Sequence, residues 1–260
     1  IVPSSTMLRP SSRDARSVID VLDYTKLYGD TVAVQSLSFR VTPGDVLGLV
    51  GPNGAGKTTT LRALAGILQP TSGSIRIADI DLHTDPVAAK SRLAFIPDEP
   101  QLFDYLTVTE HLQFVARLYG VQDAAPRIPV LLEELELTAK KDALPTELSR
   151  GMKQKLAIAC GLLHRPSALL LDEPLTGLDP VGIRRMKETI AARAREGAAV
   201  ILSSHLLHLV EELCTRLLVI RQGQAVALGT IAEIVEARPE LAGRSLEEMF
   251  IALTGDDAVS

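Results

Sequence analysis

The 260-residue sequence has no tryptophan, four tyrosines and five phenylalanines, an aromatic fraction of 3%. That is too little for a platform on which nucleic-acid bases stack. Positive charge is not in excess: 27 Lys+Arg stand against 32 Asp+Glu, a formal charge of −5. Such a balance argues against general binding to a nucleic-acid backbone. The two cysteines, Cys160 and Cys214, are too few for a disulfide framework or a cysteine metal cluster. Their apolar neighbours mark them as buried free thiols, in keeping with a reducing compartment. Apolar runs such as Ala168–Leu171 and Ala198–Leu202 fall well short of the ~20 residues that span a bilayer. Ile1–Val18 lacks the apolar centre of a signal peptide, and Ile1–Thr6 reads as an addition ahead of Met7. Residues 1–17 are expected to form a tail outside the fold.

What is present is a hydrophobic fraction of 46% with 23% charged residues, enough core for one large domain or two small ones and incompatible with disorder throughout. Val18–Asp45 alternates as short strands do, with a turn at Pro43-Gly44. Val46–Val50 suits a buried strand. A helix is expected next, its residues Leu61, Leu64, Ala65 and Leu68 on one face and Pro70 as its stop. Ser74–Ile77 and Leu93–Ile96 read as further strands. The pattern turns helical from Thr107 to Leu163, broken near Gly120 and at Pro145. Strands return at Leu169–Leu171, Ala199–Leu202 and Leu217–Ile220. The fold expected is an α/β domain with a helical insertion. Near the end, Ser245 and Glu248 form a capping box, with Leu246, Met249, Phe250 and Leu253 on one helical face.

Two motifs carry chemistry. Gly51-Pro52-Asn53-Gly54-Ala55-Gly56-Lys57-Thr58, followed by Thr59, matches the phosphate-loop pattern between a buried strand and a helix. Glycines let backbone N–H groups wrap a phosphate, and the helix start adds its positive dipole end. Lys57 reaches the β- and γ-phosphates, and the Thr58 hydroxyl ligates Mg²⁺. Leu169-Leu170-Leu171-Asp172-Glu173-Pro174 is an apolar strand ending in two acids, at the end of a strand where α/β sheets place ligands. Asp172 is expected to hold Mg²⁺ and Glu173 to polarise an attacking water, which favours a hydrolase over a kinase.

A third segment, Leu148-Ser149-Arg150-Gly151-Met152, precedes the acidic strand. Taken alone, Ser149 is simply a good helix N-cap. The order phosphate loop, Leu-Ser-x-Gly, Asp-Glu-Pro, Gly177-Leu178-Asp179 and Ser204-His205, however, resembles the ATP-binding-cassette (ABC) transporter ATPases, over residues from about 20 to 254. The brief C-terminal stretch from Ser245 resembles the ending of exporter-type members.

That resemblance implies a phosphate-loop NTPase (RecA-like) core with an N-terminal antiparallel β subdomain and an inserted α-helical subdomain. The divisions it suggests are 18–99 and 166–235 for the core, 100–165 for the helical part and 236–260 for a C-terminal helical extension. ATP and Mg²⁺ are the implied cofactors, with Tyr28 stacking on adenine and His205 contacting the γ-phosphate. Leu148–Met152 resembles the signature segment that meets the nucleotide of a second cassette, and Gly177–Asp179 the loop crossing between cassettes. The implied partners are that second cassette, in a homodimer, and separate transmembrane subunits docked near Phe103-Asp104-Tyr105-Leu106. No nucleic acid is expected, and the location implied is peripheral, on the cytoplasmic face of the membrane.

Three residues, in two segments, depart from the family pattern. Arg150 and Met152 stand where the usual signature has glycine and glutamine, although many exporter-type members look like Ser-x-Gly-Met. Asp98 stands where the family has a Mg²⁺-ligating glutamine, with Glu99 as its neighbouring rival. A cassette ATPase of DNA repair, translation or regulation is the alternative reading. Against it stand the short interval from Thr58 to Leu148, the single cassette, and the presence of both Glu173 and His205.

Overall fold

Strands β1 (Ile19–Tyr28) and β2 (Thr31–Val41) form a hairpin in register from Ile19 opposite Val41 to Tyr28 opposite Thr31. The computed structural model describes residues 17–255, so most of the expected tail and residues 256–260 lie outside the described part. With β4 (Ser72–Ile77) and β5 (Ile80–Asp81) the hairpin makes an antiparallel sheet of order β2-β1-β4-β5. The register shifts between Val21 and Tyr24, beside Asp23 at φ 48°. The extra residue of a bulge restores Tyr24 to the buried face after an exposed Leu22 and Asp23, which strict alternation would not do.

The second sheet has the order β10-β9-β3-β8-β7-β6, formed by β3 (Val46–Val50), β6 (Leu93–Ile96), β7 (Ala168–Asp172), β8 (Ala199–Ser203), β9 (Arg216–Arg221) and β10 (Gln224–Gly229). Its strands are parallel except β10, which pairs antiparallel with β9. Every residue of β3, β7 and β8 is buried, as a sheet covered on both faces requires. Leu170 and Ile201 pack toward helix α1 (Lys57–Leu64) and the antiparallel sheet, whereas Leu169, Leu171, Val200 and Leu202 pack toward the helical insertion. Truncating Leu170 or Ile201 to alanine would cost about 2–5 kcal/mol, so this sheet is a stiff mount. Its carboxyl ends are level: Ser203 is the register partner of both Leu49 and Asp172.

Helix α1 ends at Leu64, six residues before Pro70, which corrects the expected stop. Gly66, at φ 65°, turns the chain, with its N–H donating to Ala63 O and that of Ile67 to Arg62 O. Leu68 still packs on the core from the turn beyond. Helix α2 (Pro86–Lys90) covers the edge near β6. The insertion holds α3 (Val108–Leu118), α4 (Ala124–Glu134) and α5 (Arg150–Leu163). The loop ahead of α3 is pinned by buried His111, whose Nδ1 lies 2.8 Å from Thr107 O and whose Nε2 accepts from the Phe103 N–H at 3.0 Å.

Ion pairs moor the insertion to α6 (Pro180–Arg195). Arg193 donates to both oxygens of Glu134 at 2.6 Å, and Glu136 accepts from Lys155 at 2.7 Å and lies 3.2 Å from Arg185. Helices α7 (Leu207–Leu213), α8 (Ile231–Ala237) and α9 (Leu246–Thr254) close a third cluster with β9. Leu246 and Met249 of α9 pack with Leu217 and Val219 of β9. The Ser245 N–H donates to Glu248 Oε2 at 2.8 Å and the Glu248 N–H returns to Ser245 Oγ at 3.3 Å, the capping box read from the sequence. Burial pushes the thiols of Cys160 and Cys214 up to about 12, leaving them unreactive.

Candidate active site

Beyond β3 the chain reverses into α1 through a loop with no room for side chains at two points. A Cβ on Gly51 would lie 2.3 Å from Ile220 O, and one on Gly56, at φ 107°, 2.8 Å from Ala33 O. Gly56 is also the N-cap of α1 and offers no side-chain cap, which leaves first-turn N–H groups and the helix dipole for an anion. The Lys57 ammonium folds over the loop, donating to Gly51 O at 2.6 Å and Pro52 O at 3.1 Å. Burial lowers its pKa, while the negative charges of Glu173 and Asp172 pull it back up. The turn joining β9 and β10 straps the loop in place: the Gly223 N–H donates to Ala55 O at 3.0 Å and the Gln35 N–H to Gly223 O at 2.8 Å.

The two acids after Leu171 face this loop. Buried Ser203 organises both: its Oγ donates to Asp172 Oδ1 at 2.5 Å, and the Glu173 N–H donates to Ser203 O at 3.1 Å and lies 3.2 Å from Ser203 Oγ. Glu173 has φ 50°, a left-handed conformation that costs a non-glycine residue about 1–3 kcal/mol and is held here by those bonds. Its Oε2 lies 2.9 Å from His205 Nδ1 and accepts from the His205 N–H at 3.4 Å. Opposite an ionised Glu173, Nδ1 carries the proton. Burial raises the Glu173 pKa, and His205 and Lys57 hold the rise in check. The result is a carboxylate with an ordinary acid's chemistry moved toward that of a general base.

A cavity of about 260 Å³ brings together Asn53–Thr59, Ala33, Asp98, Asp172 and Glu173. That is below the ~300–1,000 Å³ of a typical ligand pocket, room for a phosphate-sized group rather than a whole drug-sized ligand. Tyr28 is not in its lining; it sits at the hairpin tip, 49% exposed, with Lys26 Nζ 5.2 Å from its ring centroid. Among the described residues no three carboxylate, imidazole or thiol groups gather to hold a metal alone. The donor set instead suits Mg²⁺ carried by phosphates, which needs only one or two protein oxygens. Thr58, Asp172 and Asp98 offer them, and it is Asp98, not exposed Glu99, that reaches the cavity.

The remaining residues do not line this cavity, although Arg150 touches its edge at Asp98, and they lie beside each other. Ser149 caps α5, accepting from the Met152 N–H at 3.3 Å. Gly151 abuts the 177–178 turn so closely that a Cβ would meet Gly177 O at 3.0 Å. Asp179 caps α6 through the Gly182 N–H at 2.8 Å. Asp98 pairs with Arg150 at 3.0 Å, so the two departures from the family pattern touch. Ser203 escaped the sequence reading; its only signal was being the first polar residue after an apolar run.

A parallel sheet with an uncapped helix, a lysine-bearing glycine loop and two acids at its carboxyl edge defines a phosphate-loop nucleotide hydrolase. Residues 34–176 match the family model described as ABC transporter. The chain is 34% identical over 244 residues to the ABC-type transporter ATP-binding protein EcsA of Bacillus subtilis (strain 168), spanning 93% of this chain and 98% of that protein. It is 41% identical over 221 residues to the Nod factor export ATP-binding protein I of Burkholderia pseudomallei (strain 1710b), spanning 84% and 73%. A solved ATP binding subunit of an ABC transporter superposes with a TM-score of 0.88 at 34% identity, covering 92% of this chain and 100% of that one. A dimeric cassette in a post-hydrolysis state bound to ADP and Pi shares the fold, with a TM-score of 0.75 at 20% identity over 82% and 98%. The chain belongs to the ABC transporter family, as an ATP-binding subunit of the ATPase type. None of these relatives carries the repair, translation or regulatory reading.

Proposed function

We propose that this chain hydrolyses ATP as one of two paired cassettes and drives export through separate membrane-spanning subunits on the cytoplasmic face. The observation that carries the hydrolytic role is the strained, half-buried Glu173 held against His205 at the mouth of the phosphate loop. Lys57 and the loop N–H groups bind the β- and γ-phosphates, Thr58 and Asp172 hold Mg²⁺ with Asp98 beside them, and Tyr28 stacks on adenine outside the cavity. When bound, Mg²⁺ neutralises charge developing on the transferred phosphoryl group. Glu173 orients the attacking water and accepts its proton. His205 fixes the Glu173 carboxylate and faces the γ-phosphate.

Leu148–Met152 and Gly177–Asp179 would meet a second copy's nucleotide. Support comes from their position together outside this chain's own cavity, and from the dimeric relative. The export direction is supported by the Nod factor export relative. Among the described residues no helix is long and apolar enough to cross a membrane. The surface proposed to dock them carries Phe103 (55% exposed) and Tyr105 (91%), with Phe103 edge-on to Phe114 at 5.2 Å. The division into a core (18–99 and 166–235), a helical part (100–165) and a C-terminal extension (236–260) belongs to the same proposal. Purification from native membranes tests it: a spanning subunit should accompany the chain, and its loss should follow Tyr105→Asp. Recovery of the chain alone from intact membranes would sink the transport reading.

A further inference from the structure

Arg150 and Asp98 are 52 residues apart in sequence and meet at 3.0 Å. Arg150 opens α5, where the helix dipole disfavours a cation, so the helix itself gives no reason for it. Its guanidinium reaches Asp98 Oδ1 while its stem lies over Gly177, whose Cβ would stand 3.1 Å from Arg150 Cδ. One side chain thus bridges three segments: the loop after β6 that lines the nucleotide cavity, the start of α5, and the turn before α6. The two side chains are 57% and 42% exposed. Exposed pairs of this kind hold weakly, which leaves the Asp98 carboxylate open to a competing cation.

We propose that the Asp98 carboxylate is shared between two cations. Arg150 holds it in the nucleotide-free protein, and binding of Mg²⁺ with nucleotide displaces Arg150 and loosens the turn around Gly177. Arg150 is then a positioning residue that acts through Asp98. The inference rests on the reading of Asp98 as a metal-side residue.

The test is a Mg²⁺ titration of the binding of a fluorescent β,γ-imido ATP analogue. Arg150→Ala should lower the Mg²⁺ needed for half-maximal binding about two- to fivefold, the range set by an exposed pair. Arg150→Lys, which keeps the charge, should stay close to wild type. Asp98→Asn should raise the requirement, and adding Arg150→Ala to it should change nothing more. Amide exchange at residues 176–179 should quicken in wild type on adding Mg²⁺ and analogue, and be quick already in nucleotide-free Arg150→Ala. An unchanged or raised requirement in Arg150→Ala, or an additive double variant, overturns the exchange. So does Arg150→Lys behaving as alanine, or exchange at 176–179 that ignores both ligand and variant. If Asp98→Asn leaves the titration unchanged, the metal-side reading of Asp98 fails and the exchange with it. If Asp98→Asn raises it while Arg150→Ala does nothing, only the exchange fails.

Discussion

The acids after β7 and the segment that opens α5 are fastened in opposite ways. Asp172 and Glu173 are gripped by one buried serine at 2.5–3.2 Å, at the end of a strand buried at every residue. The segment from Ser149 to Met152 rests on a helix cap at 3.3 Å and an exposed ion pair. Groups that stabilise charge at a reacting centre work best when they need no reorganisation. A surface that meets a partner in only one state of a cycle needs the reverse, contacts weak enough to exchange. On the proposed reading, rigidly held chemistry and loosely held recognition sit within one chain, with Asp98 lining the cavity and pairing with Arg150.

The sharpest way to break this contrast is Glu173→Gln, which should cut turnover about 10²–10⁴-fold while nucleotide still binds; steady-state ATPase and nucleotide-binding assays together check it. Turnover near the wild-type rate would remove Glu173 from the chemistry. Lys57→Ala should act on affinity instead, weakening nucleotide binding about 10–100-fold, as loss of a charge-assisted phosphate contact implies. Ser203→Ala should cost about 1–3 kcal/mol in denaturant unfolding, because it leaves buried Asp172 short of a partner, and should depress kcat more than it raises KM.

His205→Ala tests the electrostatics through a pH profile. Glu173 must be ionised to work, so turnover falls as pH drops through its raised pKa, above the ordinary 4.5. His205 pulls that pKa down; removing it should move the acid limb to higher pH. A limb that stays put would mean that the limb belongs to another group. The smallest effect belongs to Ser149→Ala, about 1 kcal/mol of thermal stability from the lost cap, with any turnover loss confined to conditions where cassettes pair. Should it match Glu173→Gln in turnover, the contrast between the two segments collapses.

Features written in adjacent residues were legible in the sequence. The phosphate loop, the acid pair after Leu171 and the Ser245–Glu248 box need only local spacing, and buried strands declare themselves as unbroken apolar runs. Features that depend on distant segments were not. Asp98 and Arg150 stood out separately as departures, but only the fold could show that they pair. Ser203 gained its role from lying in register with Asp172 across two strands. The bulge at Asp23 and the early end of α1 at Gly66 are decisions of φ, and Asp23 belongs to a residue type that enters the left-handed region without announcing it. β10, with Ala225, Val226 and Leu228 only partly buried, lacks the continuous run that marks its neighbours.

The short turn between β9 and β10 has a practical side for anyone fusing a reporter to this chain. As a tight surface hairpin it invites insertion, yet its Gly223 is bonded at once to Ala55 of the phosphate loop and to Gln35 of β2. A graft there would pull on the phosphate loop and the antiparallel sheet together. The bend at Gly120 has open space around it, since an added Cβ would meet nothing within 4 Å, but its φ of 64° strains any residue other than glycine, so a label there must follow the glycine rather than replace it.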